Sequence, residues 1–527
     1  MTLDSSVMNV SMATVANDLG TTITGIQTAI TLYTLVMATM MITGGKIGSN
    51  IGRKRAFMIG CVIYGAGSLT TAIAPNLGVL LLGWSLLEGL GAALIMPAIV
   101  GLVAANFAAS ERPRAYGLVA AAGAVAVALG PLIGGAATTY FSWRLVFAGE
   151  VLVVLVILLF ARRVTDSVTG ERKPLDLVGT VLSAVGLGLA VFGVLKSSEW
   201  GWVKAKPGAT SMLGISLTFW LVVAGLLVMW LFLRWENRRI ARGQEPLLNP
   251  KLFANAQLVG GLVMFFFQFL LQAGVFFVVP LFLSVVLELP AIDTGVRILP
   301  LSLSLLVAAI GTPRLFPKAS PRLVVRIGVL LMLAGILVLM SGIDLGASAS
   351  VVSVPMLLIG LGIGALASQL GAVAVSAVPD DQSAEVGGLQ NTATNLGASL
   401  GTALAGSVLI GVLTTSFLSG ISANPAVPEN IKTQATVQLA PGVPFLSDTQ
   451  LNTALTDAGA SPELTTAVME QNDASRVEGL DAALAVLAVL AVVSLFFTGR
   501  IPSTPVGAAS NPSTSGDSPA DTTPATA

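Results

Sequence analysis

The sequence predicts an all-α polytopic membrane protein, with two six-helix halves and two further helices inserted between them. Three observations carry that expectation. Apolar residues make up 54% of the 527-residue chain and charged residues 10%, with a mean hydropathy of +0.86, against roughly a quarter charged in a typical soluble domain. About fourteen apolar stretches follow one another, each near the roughly 20 residues that a helix needs to cross a bilayer. A glycine-bearing motif also recurs at a shift of 271 residues.

The stretches lie near 3–16, 26–45, 57–74, 78–104, 115–139, 146–161, 177–195, 212–233, 258–286, 296–312, 323–341, 351–376, 393–416 and 481–498. Basic residues sort the loops between them. Lys46, Arg53, Lys54 and Arg55 follow the second stretch, Arg112 and Arg114 the fourth, and Arg162, Arg163, Arg172 and Lys173 the sixth. Arg234, Arg238, Arg239 and Arg242 follow the eighth, and Arg314, Lys318, Arg322 and Arg326 the tenth. All fall on one side, which the positive-inside rule makes the cytoplasm. Lys196, Lys204 and Lys206 are the main dissenters. The expected topology has both termini in the cytoplasm and the chain in the cell (inner or plasma) membrane. The expected divisions are a first half at 1–163, the inserted pair at 164–250 and a second half at 251–500. That second half carries a polar outer loop at 418–480, and residues 501–527, rich in Pro, Ser, Thr, Ala and Gly, are expected to form a disordered tail.

The repeat links the halves. Leu86-Leu87-Glu88-Gly89-Leu90-Gly91 recurs as Leu357-Leu358-Ile359-Gly360-Leu361-Gly362, and the same shift carries Ala126, Gly130 and Gly134 onto Gly397, Gly401 and Ala405. Parallel repeats about an axis along the membrane normal are a transporter architecture, with the substrate site at mid-membrane between them.

Composition also excludes. A net charge of zero leaves no basic stripe for nucleic acid. The single cysteine, Cys61, cannot pair internally. The absence of histidine removes Ser-His-Asp triads, HExxH metal sites and histidine proton relays. No cofactor or metal is expected, nor is enzymatic activity. No charged ring or filter loop marks a channel. Proton chemistry would have to run on carboxylates.

The stretch from Gly117 through Ala126 to Gly130-Pro131-Leu132-Ile133-Gly134-Gly135 is the most distinctive. Proline deletes a backbone donor and glycine adds flexibility, which a bilayer tolerates only where neighbouring helices cover the backbone. Ala126, Gly130 and Gly134 recur every fourth residue, forming one small-residue face against which another helix can pack closely.

This Gly117, Ala126, Gly130, Pro131, Gly134, Gly135 pattern resembles the antiporter signature of the drug–proton antiporter branch of the major facilitator superfamily with fourteen spans. The resemblance covers residues 1 to about 498. Gly45-Lys46-Ile47-Gly48-Ser49-Asn50-Ile51-Gly52-Arg53-Lys54-Arg55 is similar to the superfamily's cytoplasmic loop motif, with Ser49 where that motif carries Asp and Asn50 where it carries a base. This departure weakens the charge network that would latch the inward gate. Leu3-Asp4-Ser5-Ser6-Val7-Met8-Asn9-Val10 resembles the branch's acidic first-helix motif, and Trp143-Arg144-Leu145-Val146-Phe147 its outer-edge element. Trp200-Gly201-Trp202 is also typical of the branch, although tryptophan favours membrane interfaces in general.

Charges near the bilayer centre are expensive and usually functional. Glu88 lies well inside the fourth stretch, with Trp84, Ser85, Gly91 and Ala92 on its face. The resemblance sets Arg and Gln at the positions of Ser85 and Glu88. Glu88, Asp4 and Glu150 are the proton-coupling candidates. For Glu150 an exposed gate role or an ion pair with Arg144 competes with a proton role. Asn9, Tyr33, Trp84, Ser85, Gln268, Gln272, Gln369 and Asn395 are the substrate-cavity candidates, with interhelical hydrogen bonding as the other reading of the glutamines. The resemblance implies a monomeric, proton-coupled exporter of small hydrophobic or amphipathic compounds, partnered by substrate, protons and membrane lipid. An uncoupled facilitator or a symporter of the same fold for a small metabolite is the alternative.

Sixteen residues precede Asn17-Asp18, the expected first outer turn. At 1.5 Å per residue they reach about 24 Å, short of the roughly 30 Å hydrocarbon core. The first helix thus reads as truncated, with Asp4 at the inner membrane surface. We expect the native chain to begin upstream, with about ten or more further apolar residues. Mass spectrometry of the native N-terminus checks this, and an in-frame stop codon immediately before Met1 would exclude it.

Overall fold

The computed structural model describes residues 2–504, apart from 22, 109, 166–174, 207, 208, 345, 380, 381, 426, 440 and 441. The expected tail lies, from residue 505 onward, outside the described residues. Fourteen long helical segments carry the described chain. They are α1 (Thr2–Asp18), α2 (Ile23–Ile51), α3 (Arg53–Ala72), α4 (Leu77–Asn106), α5 (Arg112–Tyr140), α6 (Arg144–Ala161), α7 (Leu177–Trp200) and α8 (Leu217–Ala241). Beyond these come α9 (Ala256–Leu281), α10 (Ala291–Leu315), α11 (Pro321–Gly342), α12 (Ser353–Val375), α13 (Ser383–Ala423) and, after the short α14 (Glu429–Gln438) and α15 (Asp448–Asp457), α16 (Pro462–Phe497). Eleven of the segments are long and apolar enough to cross a membrane.

Local chemistry sets the ends. Asp176, Ser216, Asn255 and Ser320 cap α7, α8, α9 and α11, each accepting from a backbone N–H of the first turn, the bond that frees a helix start from an orphan donor. Between α7 and α8 a two-residue hairpin pairs β1 (Ser211–Met212) with β2 (Ile215–Ser216). Its turn residues Leu213 and Gly214 both take positive φ, 57° and 75°, as a type I′ turn requires.

The polar segment expected as an outer loop is largely helical. α13 runs on to Ala423, α16 already starts at Pro462, and α14 and α15 fill much of the interval. These extensions share a small apolar core of Leu413, Phe417, Ile421, Val427, Val443, Leu464, Ala467 and Val468. Buried Arg476 of α16 ties the segment down by ion pairs to Asp448 and Asp473 and by a hydrogen bond to the Leu446 carbonyl at 2.9 Å. A sequence this polar still folds because it has that core and that anchor.

Glycines set the helix spacing, and the repeat is visible in what they touch. A Cβ on Gly91 of α4 would stand 2.8 Å from the Gly60 carbonyl and 2.7 Å from the Tyr64 nitrogen of α3. Gly362 of α12 meets Gly328 and Met332 of α11 in the same way. α5 packs along α1, and α13 along α9. Between the halves, a Cβ on Gly117 would stand 2.6 Å from the Ala309 carbonyl of α10. One on Gly387 would stand 2.9 Å from the Pro97 carbonyl of α4, and one on Gly388 2.9 Å from the Met41 carbonyl of α2. All three contacts lie towards the end of the bundle that carries Lys46.

Within the Gly-Pro helix, Gly130 and Gly134 are buried, and a Cβ on Gly134 would lie 2.9 Å from Val7 Cα of α1. A β-branched residue must push α1 off α5, at a cost of ~1–3 kcal/mol. We expect Gly134→Val to lower the melting temperature of the purified protein and to abolish most transport. Wild-type values in a thermal-shift and transport assay would show that this contact is dispensable.

Candidate functional site

Three acids from three helices meet inside the first half. One carboxylate oxygen from each of Asp4 on α1, Glu88 on α4 and Glu150 on α6 lies within 4.8 Å of the others. Asp4 and Glu88 are fully buried, and Glu150 is half-buried. Among the described residues this is the one group of three or more acidic, cysteine or histidine side chains whose ligand atoms come so close. The spacing suits the inner shell of a cation, and equally a site that shares protons.

Neutral side chains donate to two of these acids. Trp84 Nε1 donates to Asp4 Oδ2 at 3.3 Å, and the Ser68 hydroxyl donates to Glu150 Oε2 at 3.3 Å. The Tyr64 hydroxyl stands 3.1 Å from Asp4 Oδ2 and 3.3 Å from Glu150 Oε2. It has a single proton to give, so it serves one acid at a time. Neither oxygen of Glu88 has a hydrogen-bond partner among the described residues. Aromatic rings wall the group: Tyr33 stacks on Trp84 at 5.3 Å between centroids, and Phe147 meets Trp84 edge-on at 6.5 Å.

The backbone explains how Glu88 arrives there. Leu81–Glu88 winds as a π-helix within α4 and ends on Glu88 itself, and such stretches often sit at functional sites. Gly67 of α3 makes room beside it, since a Cβ there would stand 2.7 Å from Glu88 Cγ and 2.6 Å from the Gly83 carbonyl. Glu88 is eleven residues beyond Leu77, the start of α4, about 15 Å along a helix and so near the middle of a roughly 30 Å core.

Two placements differ from the sequence expectation. Asp4 is not at a membrane surface: it is buried in α1 at the level of Glu88, because Tyr64 and Trp84 hold its carboxylate inside the bundle. Glu150 does not pair with Arg144. That guanidinium bonds to Asp18 at 2.8 Å and the Ala74 carbonyl at 3.0 Å, and it stacks over Trp143, which leaves Glu150 directed to the acids.

Comparison with known proteins agrees with this architecture. The Major Facilitator Superfamily model matches residues 1–402. This chain belongs to the Major Facilitator Superfamily. The puromycin resistance protein pur8 of Streptomyces alboniger is 31% identical over 430 residues, 80% of this chain and 82% of that protein. The tetracenomycin C resistance and export protein of Streptomyces glaucescens is 27% identical, over 77% of this chain and 72% of its own length. The methyl viologen resistance protein SmvA of Salmonella typhimurium is 28% identical, over 84% and 87%. Among solved structures, the human organic anion transporter MFSD10 (TETRAN) superposes with a TM-score of 0.55 at 13% identity, covering 94% of this chain and 96% of that one. The proton:xylose symporter XylE gives 0.53 at 12% identity, over 95% and 92%. The chain is thus a multi-pass membrane transporter of small molecules and not an enzyme.

The superfamily's loop motif is anchored through its bases. Gly52 takes φ 98° between α2 and α3, a conformation that favours glycine. Buried Arg53 donates to the Gly101 carbonyl at 3.1 Å, and Lys54 to the carbonyls of Arg162 and Val164. Ser49 bonds back to the Gly45 carbonyl of its own helix, at 3.1 Å. Of the cavity candidates, Tyr33 and Trp84 stand at the acids, and the Ser85 hydroxyl donates to the Ala29 carbonyl of α2 at 2.8 Å. Gln268 and Gln369 are buried, Gln272 is half-buried, and Asn395 bonds to the Asn391 carbonyl at 2.8 Å and to Met41 sulfur at 3.6 Å. The side chain of Asn9 lies outside the described residues. Sequence reasoning missed Tyr64, Ser68 and Gly67; their spacing on one face of α3, beside Gly60, was the available signal.

We expect Gly67→Ala to destabilise the purified transporter by ~1–3 kcal/mol, with Glu88→Ala in the same chain recovering part of the loss. Thermal unfolding of the two single variants and the double variant measures that coupling. Strict additivity would separate Gly67 from Glu88.

Proposed function

We propose that this transporter is a proton-coupled exporter of small hydrophobic or amphipathic molecules that works by alternating access. The observation that carries the reading is the meeting of Asp4, Glu88 and Glu150, with Tyr64, Ser68 and Trp84 beside them. Carboxylates this close repel by a few kcal/mol per pair at the effective dielectric of proteins, and protons relieve that cost. The Tyr64 hydroxyl bridges two acids with one hydrogen, an arrangement suited to handing a proton between them. The group lies within one half, so rocking of that half against the other changes which side of the membrane can exchange protons with it.

Export is favoured by the Gly-Pro signature of α5 and by relatives named for resistance and export. The basic loops favour both termini in the cytoplasm. In this reading the monomer is the working unit, Tyr33 and Trp84 border the path of the substrate, and Gln268, Gln272, Gln369 and Asn395 line its far wall.

Glu88→Gln keeps shape and polarity but carries a permanent neutral group. We expect the variant to bind substrate yet fail to drive uphill export when a pH gradient is imposed across proteoliposomes. Uphill export at the wild-type rate, with unchanged pH dependence, would show that Glu88 is structural and return the role to Asp4 or Glu150.

A further inference from the structure

One buried cation sits where the halves touch. Lys46, near the end of α2, has a side chain 9% exposed, and its Nζ lies 2.8 Å from Glu385 of α13 and 3.2 Å from Glu245. Glu385 begins the helix whose next turn brings Gly387 and Gly388 against α4 and α2. This ion pair therefore spans the seam beside two of its close helix contacts. On its own side, Lys46 stands on a rigid base, because Gly44 lies directly on the Ala93 carbonyl of α4. Pro97 lacks the N–H that would otherwise occupy that carbonyl.

Glu245 brings in a third body. It lies just after α8, and its carbonyl accepts from Arg239 Nε at 3.1 Å and Nη2 at 3.0 Å. Arg239 is ion-paired at 3.2 Å with Asp176, the residue that caps α7. Trp235 of α8 donates to the same Asp176 carboxylate at 2.8 Å. The inserted pair thus presents Glu245 to Lys46 from a fixed frame. At the acidic position of the loop motif, Ser49 turns inward on its own helix, and the cross-seam charge contact is made three residues earlier.

We propose that Lys46 is a positioning residue that latches the halves shut at this end, and that the inserted helices α7 and α8 hold the latch through Glu245. Opening the seam requires Lys46 to leave both acids, and a buried charge deprived of its partner is strongly disfavoured. Lys46 holds both acids at once, so the latch is strongest when all three bodies are together. The proposal concerns the conformation at rest and does not rest on proton coupling.

The test uses the full chain in lipid nanodiscs, where both faces are reachable. Cys61→Ala removes the single cysteine, and Val100→Cys places a reporter on α4, buried beside Gly387. Labelling by a charged maleimide reads how often the seam opens. We expect Lys46→Met and Glu385→Gln each to raise the labelling rate about fivefold or more, the low end of typical coupling between sites. Glu245→Gln should raise it too, and the exchange Lys46→Glu with Glu385→Lys should fall back below Lys46→Met. An unchanged rate in Lys46→Met overturns the latch. A rise in Lys46→Met and Glu385→Gln but not in Glu245→Gln overturns the part given to the inserted helices. A cysteine at Ile336, buried between α11 and α12 in the second half, should stay unlabelled throughout; labelling there would mark general loosening and overturn the assignment to the seam. None of these readouts needs substrate or a pH gradient, so they separate this proposal from the proton-coupled reading.

Discussion

A carboxyl group in the middle of the first half, neither oxygen hydrogen-bonded among the described residues, is the constraint around which its neighbours are arranged. Burying such a group costs several kcal/mol unless it is neutralised. The surroundings pack closely around Glu88. Gly67 lets α3 close on its stem, Gly83 does the same against Thr71, and Gly89 admits Val36 of α2. Polar assistance goes to the two neighbours instead, through Tyr64, Trp84 and Ser68. Packing this tight holds Glu88 beside Asp4 and Glu150, so the three respond to one another more than to solvent.

The repeat shows that Glu88 has no acidic counterpart in the second half. Gly91 meets Gly60 and Tyr64 as Gly362 meets Gly328 and Met332. Matching those contacts pairs Tyr64 with Met332 and Glu88 with Ile359, both apolar. The scaffold is duplicated and Glu88 is not. The second half keeps the close helix spacing, with Gly397 and Gly401 resting on the carbonyls of Phe266 and Leu270, and its interior polar groups are mostly amides and hydroxyls.

Much of this was legible in the sequence, and the limits have physical causes. Apolar runs, basic loops and the Gly-Pro face identify helices because burial in lipid leaves few other choices. Glu88 stood out for the same reason, as a costly residue in an apolar run, and Asp4 through the family resemblance. Their meeting was not legible: Asp4, Glu88 and Glu150 are far apart in the chain, and the π winding of Leu81–Glu88 has no signature in the apolar pattern of α4. Tyr64 escaped notice because one hydroxyl barely alters the hydropathy of α3. The partners of Lys46 come from Glu245 and Glu385, 199 and 339 residues away, and charges at helix ends look like ordinary solvated ones until the fold buries them.

The length of α13 has a mechanical consequence. Its 41 residues contain no proline and reach about 61 Å, roughly twice the hydrocarbon thickness. Glu385 stands near one end, and Leu413, Phe417 and Ile421 are embedded in the apolar cap at the other. Between them Ser407 receives a hydrogen bond at 3.0 Å from Trp202, which follows α7. A rod of this kind is a lever: tilting it by about 5° about the Glu385 end swings the far end by about 5 Å. When the helix moves as one body, loosening one rim of the membrane is delivered to the opposite rim as a lateral stroke of the cap.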